Sequence, residues 1–319
     1  MELHQNETRQ LSFHGEGAKL FGIYIVNILL TMVTLGIYYP WAKAALLKYM
    51  YEESEFEGSR FTFHGTGKEM FKGFIKAIGI FIGLYGILFL AALSRNFTIT
   101  MLGVAVFYIG LLILVPIAIH GALRYRTSRS SWRGIHFGYR GDRKEFLNMF
   151  IVGSLITIFT FGIYGAWFVI EIRKYIFKNL RFGNITFSYE GEGSAFFWMN
   201  FKGYLLTVIT FGIYFFWWAK ELFAYYVDNI RMYQGETRLT FRSTATAGGY
   251  FKLIIVNLLI IVLSLGLATP WAIVRAMQFV FNHIHIDGPL DVNAITQTEA
   301  DYTDATGEDL ADMIDIGLV

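Results

Sequence analysis

The chain has 319 residues, of which 55% are hydrophobic and 16% are charged, and its formal net charge is +2. Soluble domains have about 25% charged residues, so this composition argues against a soluble domain and is typical of a protein with several membrane segments. The absence of cysteine excludes disulfide bonds and thiolate metal sites.

A short turn motif, Thr-x-Gly followed by Ile-Tyr, recurs between apolar segments. It occurs at 34–38, 160–164 and 210–214, and in weaker form at 264–267. Glycine interrupts a helix because it adopts backbone angles that other residues avoid. A tryptophan follows each copy, as is common at a membrane–water interface. Each copy is therefore predicted to be the tip of a helical hairpin that dips into or crosses a bilayer.

An alternating aromatic strand pattern recurs in step with these tips. The second aromatic residue precedes the tip glycine by 23 residues in three units, by 25 in the last, and precedes Gly86 by 23 in the second unit. Such a constant offset predicts five repeated units. The unit boundaries are expected near 11–57, 58–133, 134–182, 183–236 and 237–292.

Each unit is predicted to contain two helices followed by a β-hairpin with a glycine turn. The helices of the second unit, near 70–93 and 98–123, are long enough to span about 30 Å of hydrocarbon. The first helices near 146–160, 198–210 and 250–265 are short for a full crossing. A thinned bilayer or re-entrant hairpins would accommodate them.

The distribution of charge predicts an orientation. An even number of helices per unit places all β-hairpins on one side, and basic residues are concentrated there, so this side and both termini are expected to be cytoplasmic. From Asp287 onward there are nine acidic residues and no lysine or arginine. Residues 293–319 are expected to form a disordered acidic tail.

The predicted fold is an α-helical polytopic membrane protein. Residues 1–292 would form a membrane domain of five helical-hairpin units, with short cytoplasmic β-hairpins between them. The tip motif, the Phe-x-x-Gly-x-Gly strands and the pairs Pro40-Trp41 and Pro270-Trp271 together resemble the YjgN-like family of bacterial inner-membrane proteins, over about 11–292. Its members contain a domain of unknown function, so the resemblance implies location in the inner membrane and topology but no activity.

Charged residues recur on the second helix of several units, seven to nine residues beyond the tip glycine. They are Lys43, Glu171, Lys220, Glu221 and Arg275. At about 1.5 Å per residue they lie roughly 10–14 Å from the tip, where an uncompensated charge is costly. One interpretation is a polar path lined by the second helices. The alternatives are structural pairing, snorkelling, or helices that lie near the interface.

Two asparagines, Asn27 and Asn257, each precede a tip glycine by nine residues. The corresponding residues in the other units are Ala77, Gly153 and Gly203. Small residues and asparagine at one position favour close helix packing and interhelical hydrogen bonds. Contact with a transported substrate is the alternative.

The sequence contains no Ser-His-Asp set, nucleophile elbow or phosphate-binding loop, and its seven histidines lack zinc-site spacing. Catalysis is therefore unsupported, and no metal or cofactor is expected. The basic side suits anionic lipid and gives no reason to expect nucleic acid.

Two functions remain open. The first is a pore or carrier for a small solute or ion. The second is a non-transporting scaffold that binds lipid or a protein partner through the hairpin layer. Membrane lipid is the expected partner, and a small solute or ion and a second copy of the chain are further candidates.

Overall fold

The computed structural model describes residues 8–299, which form five pairs of helices and ten strands. The strands are β1 (Thr8–Phe13), β2 (Ser54–Phe56), β3 (Ser59–Phe63), β4 (Ser130–Trp132), β5 (Ile135–Tyr139), β6 (Leu180–Phe182), β7 (Ile185–Tyr189), β8 (Ile230–Gln234), β9 (Thr237–Ser243) and β10 (Ile284–Asp287). The first helices of the pairs are α1 (Gly17–Val33), α3 (Gly67–Leu93), α5 (Arg143–Phe159), α7 (Gly193–Ile209) and α9 (Ala247–Leu263). The second helices are α2 (Tyr39–Glu52), α4 (Phe97–Ser128), α6 (Gly165–Asn179), α8 (Phe215–Asp228) and α10 (Thr269–Asn282).

The ten strands form one closed antiparallel barrel in the order β1-β10-β9-β8-β7-β6-β5-β4-β3-β2. Two-residue turns join the strands of a hairpin; in the first of them Glu57 and Gly58 have φ of 47° and 70°. The first and last strands close the barrel, with Thr8 opposite Asp287. Every strand is therefore paired on both edges, and the barrel has no open edge.

The closing seam is reinforced by one carboxylate. Asp287 accepts hydrogen bonds from Thr8 Oγ1 at 2.8 Å and from Arg242 Nε at 2.8 Å. The bond from Arg242 lowers the pKa of Asp287. The contribution of this carboxylate to stability is thus present at neutral pH and is lost as the pH falls through the lowered pKa.

Apolar side chains from around the barrel meet in its interior. The fully or nearly fully buried members of this core come from seven strands and from the segment after β10: Phe56, Trp132, Phe182, Ile185, Met232, Leu239, Ile286, Leu290 and Ile295. Among the described residues, the barrel is therefore filled like a globular core and does not form an open pore.

The chain after β10 crosses the base of the barrel instead of forming the predicted last hairpin. Leu290 and Ile295 enter the core, Thr298 Oγ1 donates to the carbonyl of Gly183 at 2.6 Å, and Glu299 pairs with Arg140 at 2.8 Å. Residues 293–299 of the predicted tail are thus packed on the barrel. The rest of that prediction, for 300–319, lies outside the described residues.

The ten helices form a closed ring on one side of the barrel, because each packs against its two neighbours in sequence and α10 packs against α1. Glycines permit the close approach between units. A Cβ on Gly67 would lie 2.7 Å from Cα of Trp41, and a Cβ on Gly193 would lie 2.8 Å from Cα of Trp167. These two tryptophans therefore help to hold adjacent units together.

Tyrosines near the ends of four second helices bind the N-terminus of the first helix in the same unit. Tyr49 Oη accepts from the N–H of Glu16 at 2.7 Å and donates to its carbonyl at 3.0 Å. Tyr225 does the same with Glu192. The corresponding residue of the fifth unit is Phe279, which lacks a hydroxyl. The shared position lies five residues before the short strand.

The predicted fold class is wrong. The β-hairpins are not separate connections between membrane helices, because pairing between successive units joins all of them into one barrel. An unpaired strand edge leaves backbone donors and acceptors unsatisfied, which favours this closure. In the described chain, only α3 and α4 are long and apolar enough to cross a membrane. Gly86 lies within α3 and is not a tip, since that hairpin turns at 94–96.

Candidate functional site

A cavity of about 600 Å³ lies within the helix layer, beside the first helical hairpin, which is formed by α1 and α2. Its wall is formed by α1 and α2 together with residues of α3, α4 and α10. On α2 it extends from Tyr39 to Met50, or roughly 16 Å along the helix axis. The cavity has the size of a small-molecule site.

Most of the cavity wall is apolar, and methionines are prominent in it. Its polar side chains come from α1, α2 and α4: Tyr24, Asn27, Thr31, Tyr39, Lys43, Tyr125 and Arg126. Two cations and no carboxylate line the cavity among the described residues. A mainly apolar wall with a few convergent polar groups is the usual composition of a ligand site.

Arg126 lies at the barrel end of the cavity. Its Nε donates to Tyr51 Oη at 3.3 Å, and its guanidinium lies 5.9 Å from the centre of the Tyr51 ring. This contact joins α4 to α2. The guanidinium can offer further donors to a planar acid group.

Lys43 lies on α2, nearer the tip of the first helical hairpin. It is seven residues before Met50 on α2, which places it roughly 10 Å above the level of that residue. Beside it, Asn27 Nδ2 donates to the carbonyl of Ala42 at 3.4 Å, so the asparagine joins α1 to α2. Arg126 lies at the level of Met50, since each is four residues before its short strand. The cavity thus has one cation near the barrel, Arg126, and one nearer the tip, Lys43.

The structure separates the other predicted site residues from this cavity. Arg275 Nε donates to Asn257 Oδ1 at 3.1 Å, and Asn257 Nδ2 donates to the carbonyl of Ala272 at 3.1 Å, so both join α9 to α10. Glu171 accepts from Tyr164 Oη at 2.7 Å. Neither these residues nor Lys220 and Glu221 belong to the cavity wall. Of the predicted set, only Lys43 and Asn27 line it.

Arg126, Tyr24 and Tyr125 are cavity residues that the sequence analysis missed. In the second unit the predicted register starts from Gly86, which lies within α3 and is not a tip. Counting back from the short strands instead places Arg126 at the position of Met50, since each lies four residues before its strand. No other unit has a charged residue at this position, so no recurring charge marked Arg126 in the sequence.

Comparison with known proteins identifies the family. The family described as "Bacterial protein of unknown function (DUF898)" matches residues 8–190 and 218–313, together 279 of the 319 residues. The chain belongs to this family. The resemblance to YjgN-like proteins is confirmed.

Three curated relatives of this DUF898 chain are each named "Inner membrane protein YjgN". The protein of Escherichia coli O157:H7 is 33% identical over 41% of this chain and 31% of its own length. The Salmonella typhimurium protein is 30% identical over 48% of this chain and 37% of its own length. The Escherichia coli K12 protein is 32% identical over 42% and 32%, respectively.

Each match spans about a third of the length of these relatives. No solved structure matches the chain. The names of the relatives support an association with the bacterial inner membrane and specify no activity.

Proposed function

We propose that this protein binds a small anionic amphiphile in the cavity beside the first hairpin and acts as its carrier in the inner membrane. The observation that supports this proposal is the placement of Lys43 and Arg126 in a wall that is otherwise mostly apolar. An acid group would pair with a cation, and the apolar body of the ligand would contact the methionine and leucine side chains.

A carrier fits the geometry better than an open pore. The barrel interior is filled by the core around Trp132 and Leu239, so an axial path through the described barrel is closed. Lys43 and Arg126 differ in height by roughly 10 Å, and an acid group could exchange between them as it moves along α2. Binding followed by local rearrangement therefore suits this site.

The scaffold alternative finds less support. A common way for a β-layer to bind a partner is to add a strand at an open edge. The described barrel has no such edge, because all ten strands are paired on both sides. The orientation with the barrel in the cytoplasm remains a proposal, supported by the basic residues at the barrel end of the helices.

Native mass spectrometry of the full chain in an uncharged detergent tests the proposal. We expect dodecyl phosphate to bind with one molecule per chain, and dodecylphosphocholine to bind at least tenfold more weakly because its headgroup has no net charge. Lys43→Gln and Arg126→Gln should each weaken the binding of dodecyl phosphate about tenfold, the effect of losing one charge-assisted contact.

Lys48→Gln is the matched control. Lys48 is on the same helix as Lys43 but outside the cavity wall, where it lies 3.8 Å from Glu52. This variant should bind dodecyl phosphate as the parent does. The proposal would be overturned if the parent bound dodecyl phosphate and dodecylphosphocholine equally well. It would also be overturned if the parent and all three variants bound dodecyl phosphate with equal affinity.

A further inference from the structure

Four short helical hairpins, α1–α2, α5–α6, α7–α8 and α9–α10, rise to one height above the barrel. The second, long hairpin, α3–α4, rises higher. In each short hairpin the tip glycine follows the first residue of the first helix by 19 residues. In the long hairpin, Arg95 at the tip follows Gly67 by 28 residues. The difference of nine residues makes the long hairpin roughly 14 Å taller.

Charged residues mark two levels on the long hairpin. Lys76 lies nine residues beyond the start of α3, and 19 residues separate it from Arg95 at the tip. The intervening segment of α3 has no charged residue and extends roughly 28 Å, close to the thickness of about 30 Å of a hydrocarbon core. The two charges therefore lie where the two interfaces of a bilayer would be.

The lower level also exists on a short hairpin. Lys202 lies nine residues beyond the start of α7, which is the height of Lys76 on α3. The tip glycine Gly212 follows Lys202 by ten residues, so this tip lies roughly 15 Å beyond the lower level. That depth is half of the hydrocarbon core.

The short tips are chemically suited to hydrocarbon. Each presents a large apolar side chain with almost its whole surface exposed: Leu35 (93%), Phe161 (98%), Phe211 (97%) and Leu265 (93%). These residues have φ of 51–52°, which is unfavourable for a non-glycine residue. The long tip instead consists of Ser94, Arg95 and Asn96.

The backbone N–H groups of the short tips all find acceptors within their own hairpin. In the first tip, all six N–H groups from 34 to 39 donate within the hairpin, including that of Tyr38, which donates to Thr34 Oγ1 at 3.0 Å. Thr160, Thr210 and Ser264 accept in the same way. Internal pairing of these donors lowers the cost of placing such a turn in hydrocarbon.

The upper parts of α3 and α4 pack against each other through small residues. A Cβ on Gly103 would overlap the side chain of Ala91, and a Cβ on Gly110 would lie 2.7 Å from Leu84 Cδ2. Close packing at small residues is typical of helices that associate within a bilayer. The remaining faces of this pair expose apolar side chains.

We infer that the long hairpin α3–α4 crosses the bilayer, whereas the four short hairpins end at its midplane in contact with acyl chains. The protein thus presents two kinds of surface to one membrane, a spanning pair and a ring of re-entrant tips. The observations that support this inference are the hairpin heights, the tip chemistry and the backbone bonding. It does not depend on the ligand of the cavity.

Spin labels on single cysteines in the full chain, reconstituted in phosphatidylcholine vesicles, test this inference. Labels at Leu35→Cys and Phe211→Cys should collide most with oxygen and least with a water-soluble nickel chelate, which indicates the bilayer centre. Labels at Arg95→Cys and at Glu236→Cys in the β8–β9 turn should be accessible to nickel. An impermeant thiol reagent should label positions 95 and 236 from opposite faces of the membrane.

Two outcomes would overturn the inference. Nickel accessibility at positions 35 and 211 equal to that at 95 would mean that the short hairpins cross the bilayer or remain outside it. Labelling of positions 95 and 236 from the same face would mean that the long hairpin does not cross. Both outcomes leave the binding of dodecyl phosphate as a separate question.

Discussion

Trp132→Ala is expected to lower the free energy of unfolding by about 3–5 kcal/mol, the range for removing a large aromatic residue from a core. The Trp132 side chain is 1% exposed and contacts the rings of Phe56, Phe61 and Phe182 inside the barrel. Its Nε1 donates to the carbonyls of Phe56 and Ser59 at 3.2 and 2.9 Å. The midpoint of thermal unfolding in detergent, followed by circular dichroism, measures the loss.

Trp132→Phe separates the two contributions. Phenylalanine retains much of the aromatic volume but leaves the two carbonyls without this donor, so the loss should be smaller than for alanine. An unchanged midpoint for Trp132→Ala would contradict the assignment of the barrel interior as the core of the molecule.

Removal of all residues after Val292 is expected to destabilise the protein strongly. The deletion removes Ile295, which is 7% exposed in the barrel core, and the contacts of Thr298 and Glu299 with the barrel. Loss of a buried isoleucine alone costs about 2–5 kcal/mol. The expectation differs from that of the sequence analysis, which predicts a disordered acidic tail from residue 293.

A deletion after Glu299 is the control, because it retains every contact that the described residues make with the barrel. Its unfolding midpoint in the same detergent should be within a few degrees of that of the full chain. If both deletions left the midpoint unchanged, the segment across the base of the barrel would not contribute to stability.

The tips were predictable from the sequence because their signal is local. Glycine at 36, 162, 212 and 266 indicated the chain reversal, and the structure places a turn at each. The sequence did not show that the residue before each glycine takes the left-handed conformation. In the structure, the N–H of Leu35 donates to the carbonyl of Met32 and that of Gly36 to the carbonyl of Thr31, which ends the helix with two bonds.

The barrel was not predictable because its closure depends on contacts between residues that are distant in sequence. The turn between β2 and β3 is a local feature, and the hairpin was expected there. In contrast, β3 pairs with β4 only after the whole of the long hairpin, and Thr8 pairs with Asp287 at the two ends of the described chain. No short-range pattern specifies these partners.

The set of charged residues was only partly informative because height on a helix does not specify direction. Lys43 lies seven residues beyond its tip glycine and Arg275 nine residues beyond. Two residues on an α-helix rotate a side chain by about 200°, so this difference of two residues places the two side chains on different faces of their helices. Accordingly, Lys43 lines the cavity, while Arg275 bonds to Asn257.

Protection of single cysteines tests the proposed cavity most directly, since the chain has no native cysteine. Ala42 and Ala122 line the cavity on α2 and α4, whereas Ala45 is on α2 outside the wall. We expect saturating dodecyl phosphate to slow the reaction of Ala42→Cys and Ala122→Cys with a water-soluble thiol reagent at least tenfold. The reaction of Ala45→Cys should not change. Unchanged rates at 42 and 122, or equal slowing at all three positions, would contradict the account.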